Sequence, residues 1–124
     1  TTSERLIWVR SRYTSTSGPT IDNVKWLSAQ EHDASFGSVN VINADSTQFA
    51  WGQNAGPGMI GSTTDPGYPQ TPQGVAATDK IIAVETGGHT SMNIKKCTTT
   101  FGYVGHRTNG SMGDGTTGSA FLYR

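Results

Sequence analysis

Aligned against itself at an offset of 53 residues, the 124-residue chain falls into two matching halves. Ser38-Val39-Asn40-Val41 falls on Ser91-Met92-Asn93-Ile94, Thr47 on Thr100, and Ala50-Trp51-Gly52 on Tyr103-Val104-Gly105. Further on, with one residue fewer in the second copy, Met59-Ile60-Gly61-Ser62-Thr63-Thr64 resembles Ser111-Met112-Gly113-Asp114-Gly115-Thr116-Thr117. A repeat of this length is one supersecondary unit copied, and each unit must bury its apolar face on a neighbour.

Composition says what the unit is made of. Only 33% of the residues are hydrophobic, while Gly contributes 16 and Ser plus Thr 30. Gly costs about 1 kcal/mol at a helical position and Thr is stiff at χ1, whereas turns use Gly and strands accept Thr. The chain therefore reads as all-β and rich in turns. Nine basic residues balance nine acidic ones and eleven aromatics are spread along the length, which argues against a disordered chain. The same balance argues against nucleic acid as the main partner, since only Arg5, Arg10 and Arg12 cluster. Cys97 is the single cysteine, so no intrachain disulfide can form, and the longest apolar runs, Leu6 to Val9 and Ile81 to Val84, are far too short for a membrane helix.

Within each copy the pattern predicts an entry strand, Val24 to Leu27 or Lys80 to Val84, then a polar turn and two alternating strands. Those pairs are Ser38 to Ile42 with Gln48 to Trp51, and Ser91 to Lys95 with Thr100 to Val104, each closed by a Gly-rich loop. Ahead of them, Leu6 to Tyr13 alternates Trp8, Arg10 and Arg12 with Val9, Ser11 and Tyr13 as a further strand, with a turn around Gly18-Pro19. The chain divides into an N-terminal strand and linker over 1–20, a first repeat over 21–71 and a second over 72–124 that begins another strand. Thr1 in place of Met, and the strand-like Ala120 to Arg124, suggest a piece of a longer polypeptide with any signal peptide already removed.

Two resemblances rest on these residues. The stretch Trp8-Val9-Arg10-Ser11-Arg12-Tyr13 weakly resembles a late strand of fibronectin-type-III-like modules, and an edge strand with outward arginines explains it equally well. Pro72-Gln73-Gly74-Val75, Ile81 to Val84, Gly87-Gly88-His89-Thr90-Ser91, Phe101 to Gly105 and Gly113-Asp114-Gly115 together resemble the repeat of the regulator-of-chromosome-condensation family. Phe49-Ala50-Trp51-Gly52-Gln53-Asn54 and Met59-Ile60-Gly61 match its end in the first copy. The resemblance covers residues 24 to about 118 and implies antiparallel blades of a β-propeller-like array. It departs at Val104 and at His106-Arg107, and the first copy has Ser35-Phe36-Gly37 where Gly-x-His is expected. Two blades cannot close a ring of the usual four to eight, so the array would continue beyond them.

The repeat positions carry physical reasons. Gly52 and Gly105 end a strand where a crowded backbone or a positive φ selects glycine. Trp51 and Val104 are expected to fill the core between neighbouring blades, with a sugar-stacking platform at Trp51 as the alternative. Gly61, Gly87, Gly88 and Gly113 mark turns, and His89 is expected to bridge turn carbonyls rather than to catalyse, because no motif supplies a nucleophile and an orienting acid. Tyr103, His106 and Arg107 form the candidate ligand contact, set against a plain solvated turn in which Arg107 pairs with Asp114. No catalytic or metal-binding residues and no cofactor are expected: Asp114 lacks the further carboxylates of a calcium loop, and the glycines of Gly52 to Gly61 lack the Gly-Lys-Ser/Thr end of a phosphate loop. Asn109-Gly110-Ser111 has the form of an N-glycosylation sequon and Ser46 that of an O-glycosylation site, and both also read as turns.

The expected function is that of a non-enzymatic repeat module of a large secreted or cell-surface bacterial protein, an adhesin or surface filament that binds protein or glycan. A phage tail or capsid-decoration protein is the alternative, with a virion subunit as partner, and an enzyme or exchange factor on a propeller scaffold comes third. Other modules of the same chain or neighbouring subunits are the remaining expected partners, and no nucleic acid or membrane span is expected.

Overall fold

In a computed structural model, the structure describes residues 11–14, 17–30, 37–52, 61, 64, 66–87, 90–99, 101–105, 113, 115, 117–118 and 123. Its six strands are β1 (Val24–Ala29), β2 (Ser38–Asn43), β3 (Gln48–Gly52), β4 (Ile81–Gly87), β5 (Thr90–Lys95) and β6 (Phe101–Gly105). They form two antiparallel sheets, β1-β2-β3 and β4-β5-β6, hereafter sheet 1 and sheet 2. The described residues are thus all-β and contain no helix, in line with the surplus of Gly, Ser and Thr.

The two sheets share one strand order, each with a β-bulge early in its first strand, between Val24 and Trp26 and between Ile81 and Ala83. The second hairpins differ by one residue. Four residues, 44–47, join β2 to β3, and five, 96–100, join β5 to β6. The first turn is held by Thr47 N–H donating to the Asp45 carboxylate and Ser46 in the left-handed region; in the second, Cys97 takes that conformation and Thr98 donates its hydroxyl to the Lys95 carbonyl. The longer turn moves the register. Asn40 faces Ala50 and Ser38 faces Gly52, but Asn93 faces Gly102 and Ser91 faces Val104.

Because side chains alternate along a strand, a one-residue slip exchanges the faces. Val104 is fully buried on the side that faces the other sheet, as expected for a core position. Trp51, its partner by sequence offset, pairs with Val39 on the opposite side and is half-buried. The structural counterpart of Trp51 is Tyr103. The backbone nevertheless keeps the sequence match, since Gly52 and Gly105 both have φ near +110°, at 104° and 112°. A Cβ on Gly52 would also collide with the Gly37 carbonyl and come within 2.8 Å of the Ser38 Cα, so crowding and conformation both select glycine there.

The two inner faces meet through a small apolar cluster and a larger polar one. Ile42, Ile81 and Val84 are buried together with Val75 against them. Beside them, Asn40 Nδ2 donates to Thr86 Oγ1 at 2.7 Å and to Ser91 Oγ at 3.2 Å, and its Oδ1 accepts from Gln48 Nε2 at 2.9 Å. Gln48 Oε1 accepts from Asn93 Nδ2 at 2.8 Å, and its Nε2 also donates to the Tyr123 hydroxyl at 3.1 Å. Asn40 and Asn93 occupy the same place in the two repeats, so like faces meet. The free edge of β4 is covered as well: Thr86 N–H donates to Ser28 Oγ at 2.8 Å, and Trp26 Nε1 donates to the Val84 carbonyl at 2.7 Å.

After β3 the chain turns back along that strand. Gln70 exchanges both backbone bonds with Ala50 and Gly52 N–H donates to the Pro66 carbonyl, which closes the outer edge of sheet 1. Ile81 N–H then donates to the Ser46 carbonyl, tying the first turn to the start of β4. Ahead of β1, Arg12 and Thr20 form an isolated bridge; residues 6–10 of the expected N-terminal strand lie outside the described residues.

Candidate functional site

The outward faces of the two sheets differ. On sheet 1, Val41 and Phe49 stand opposite each other, and Tyr13 lies over them: its ring meets Phe49 edge-on with centroids 5.4 Å apart, and its hydroxyl accepts from Asn43 Nδ2 at 3.2 Å. Val41 is 1% exposed as a result, although Leu27 at the β1 edge stays open. On sheet 2 the matching pair is Ile94 with Phe101, at 40% and 51% exposure, flanked by Met92 and by Ile82. Four large apolar side chains on this one small sheet are thus in contact with solvent.

Tyr103, one of the expected ligand contacts, belongs to this patch. It pairs with Met92, and its ring is tilted against Phe101 with centroids 6.4 Å apart. At 7% exposure it is largely covered and presents little of itself to a ligand. Met92, Ile94 and Phe101, which present the surface, are the residues that sequence reasoning missed. The signal was available in the alternation of Met92 and Ile94 in β5 and of Phe101 and Tyr103 in β6. His106, Arg107, Gly88, His89 and Asn109 lie outside the described residues.

The glycines Gly61 and Gly113 adopt positive φ, of 69° and 71°, as turn positions. Gly87 ends β4, where a Cβ would meet open space. Ser46 is committed to structure, since its hydroxyl accepts from Lys25 Nζ at 2.7 Å while its carbonyl holds Ile81.

A concavity of about 250 Å³ opens at the Ile81, Lys95 and Phe101 end of sheet 2, with Gly74, Val75 and Asp79 also in its wall. Asn93 and Tyr123 form part of its lining, and Asp79 and Lys95 pair within it at 3.0 Å. The backbone N–H of Ala76 and then Lys95 hold the Asp79 carboxyl below its usual range, so it is ionised at neutral pH. Burial pushes the Tyr123 phenol well above the tyrosine range, partly offset by its bonds to Gln48 and Ser91, so it keeps its proton. Neither group is poised to exchange a proton near neutrality. Among the described residues no group of three His, Cys, Asp or Glu side chains is placed to hold a metal ion.

The chain matches no protein-family model and no curated protein. Among the described residues, no helix is long and apolar enough to cross a membrane.

Proposed function

We propose that this chain is a non-enzymatic repeat module of a large secreted or cell-surface bacterial protein, of the adhesin or surface-filament kind, which binds protein or glycan through the outward face of sheet 2. The observation that carries the reading is the exposed patch of Ile82, Met92, Ile94 and Phe101. Tyr103 belongs to the same outward row, and His106 and Arg107 follow β6 directly in sequence. A phage tail or capsid-decoration protein would use the same patch against a neighbouring virion subunit.

For the architecture, the repeat and the two three-stranded sheets support an array of like units, and the propeller form is its most extended version. A ring is built by heterologous contacts, the front of one blade on the back of the next, whereas contacts between like surfaces close on themselves. Asn40 and Asn93 meeting through Gln48 is a contact of the second kind, and it favours a two-repeat sandwich over two consecutive blades.

The test is binding by the wild-type chain and by a Met92→Lys, Phe101→Lys variant, on a glycan array, on bacterial and host cells, and on isolated virions. Both positions are exposed, so the variant keeps the wild-type melting temperature within about 2 °C. Capture by the wild type with at least tenfold loss in the variant is expected. Equal binding by both, or none by either, overturns the reading.

A further inference from the structure

The patch on sheet 2 has an internal counterpart that shows what fits such a surface. Sheet 1 carries the same pair in the same place, Val41 with Phe49, and there the chain's own Tyr13 covers it with an edge-on ring and a hydroxyl bonded to Asn43. Tyr13 stands in a short two-stranded turn in which its N–H donates to the Pro19 carbonyl and Ile21 N–H donates to the Ser11 carbonyl. What seats on Val41 and Phe49 is therefore a narrow segment of polypeptide bearing one aromatic ring.

Size points the same way. Rows Ala83-Ile94-Phe101 and Glu85-Met92-Tyr103 span three strands and two side-chain levels. With strands about 4.8 Å apart and same-face residues about 6.8 Å apart, that is an area on the order of 100–200 Å². A stable dimer buries about 800 Å² per partner, several times more than this face offers. It suits one segment better than a second copy of the domain.

Charge adds the direction. Next to Met92 the outward row ends in the exposed Glu85, whose Oε2 accepts from Ser28 Oγ at a long 3.4 Å and whose other carboxylate oxygen has no hydrogen bond among the described residues, whereas the corresponding place opposite Val39 in sheet 1 is Ala29. A segment crossing the patch with its ring over Ile94 and Phe101 brings its next same-face side chain, two residues on, over Met92 and Glu85. A basic residue there is attracted to the carboxylate, and an acidic one is repelled.

We infer that the outward face of sheet 2 docks an extended segment of a partner polypeptide that carries an aromatic residue and, two positions away, a basic one. This deepens the binding reading above and rests on it. The ring replaces Tyr13's role over Ile94 and Phe101, and Glu85 selects the cation.

The experiment uses the whole chain labelled with ¹³C at the methionine and isoleucine methyls and titrated with a capped seven-residue threonine peptide carrying tyrosine at its third position and arginine at its fifth. The expected result is saturable shifts of the Met92 and Ile94 methyls. Affinity falls at least tenfold in Phe101→Ser or when the peptide's tyrosine is alanine. It falls about three- to fivefold in Glu85→Gln, and further when the peptide's arginine is glutamate. Absence of shifts at millimolar peptide, or equal affinity for the arginine and glutamate peptides, overturns the inference. So do methyl shifts that depend on protein concentration alone, which would make a second copy the occupant, or contacts to Ile94 from the chain's own residues in the free protein. If the peptide fails while Phe101-dependent capture on cells, glycans or virions persists, the segment is wrong and the binding face stands.

Discussion

Val41 and Phe49 in sheet 1 lie beneath Tyr13, while Ile94 and Phe101, their counterparts in sheet 2, face solvent. On the opposite side of the same sheets the relation reverses, for there Asn40 and Asn93 are both buried and share one glutamine. Two copies of one pattern thus agree on the face they turn toward each other and diverge on the face they turn away. A buried polar side chain must be paired, so a substitution there is punished in either copy, whereas an outward position is free to acquire a cover or a partner.

The largest expected effect breaks the shared face unequally. Among the described residues Asn40 makes three hydrogen bonds in the network and Asn93 one, so Asn40→Ala is expected to cost about 3 kcal/mol and Asn93→Ala about 1–2 kcal/mol in urea unfolding. Equal losses would show that the two asparagines serve the interface alike. Next comes the outward face. Val41→Ala removes buried methyls beneath Tyr13 and is expected to cost about 2 kcal/mol, whereas Ile94→Ala costs less than about 1 kcal/mol, both read from the denaturant midpoint. An Ile94 variant as damaging as the Val41 one would mean that sheet 2 is covered in solution.

The smallest effect concerns acid. Thr47 through its backbone N–H and then its hydroxyl holds the Asp45 carboxyl low in sheet 1, and the Ala76 N–H and then Lys95 hold Asp79 low beside sheet 2. A carboxyl with a depressed folded value adds stability that is present above its unfolded value and is lost as pH falls through the folded one. Melting temperatures should therefore drop below about pH 4, and Asp79→Asn or Asp45→Asn should each flatten part of that drop. A variant with an unchanged acid limb would remove its carboxyl from the explanation.

Much of this was readable from residues. The offset of 53 located both hairpins, and the alternation of Ser38, Asn40 and Ile42 with Val39, Val41 and Asn43 marked β2 as two-faced. What misled was carrying the offset of 53 unchanged across the hairpin turns. One extra residue in the turn 96–100 moves β6 against β5, so Val104 goes inward where Gly52 stood and Trp51 goes outward with Tyr103. Turn length is written in the sequence, but whether a turn absorbs a residue by bulging or by shifting register depends on which face the interior accepts.

The sequence by itself determined the all-β class, the strand pairs of both hairpins and the glycines at 52 and 105, because composition, periodicity and backbone conformation are local properties. Tertiary structure alone decided that Asn40, Gln48, Asn93 and Tyr123 close one network, and that Tyr13 covers sheet 1 while Phe101 is left open. Those outcomes depend on which faces meet across tens of residues of chain, and a polar residue's partner is fixed only when the two strands that carry it are brought together.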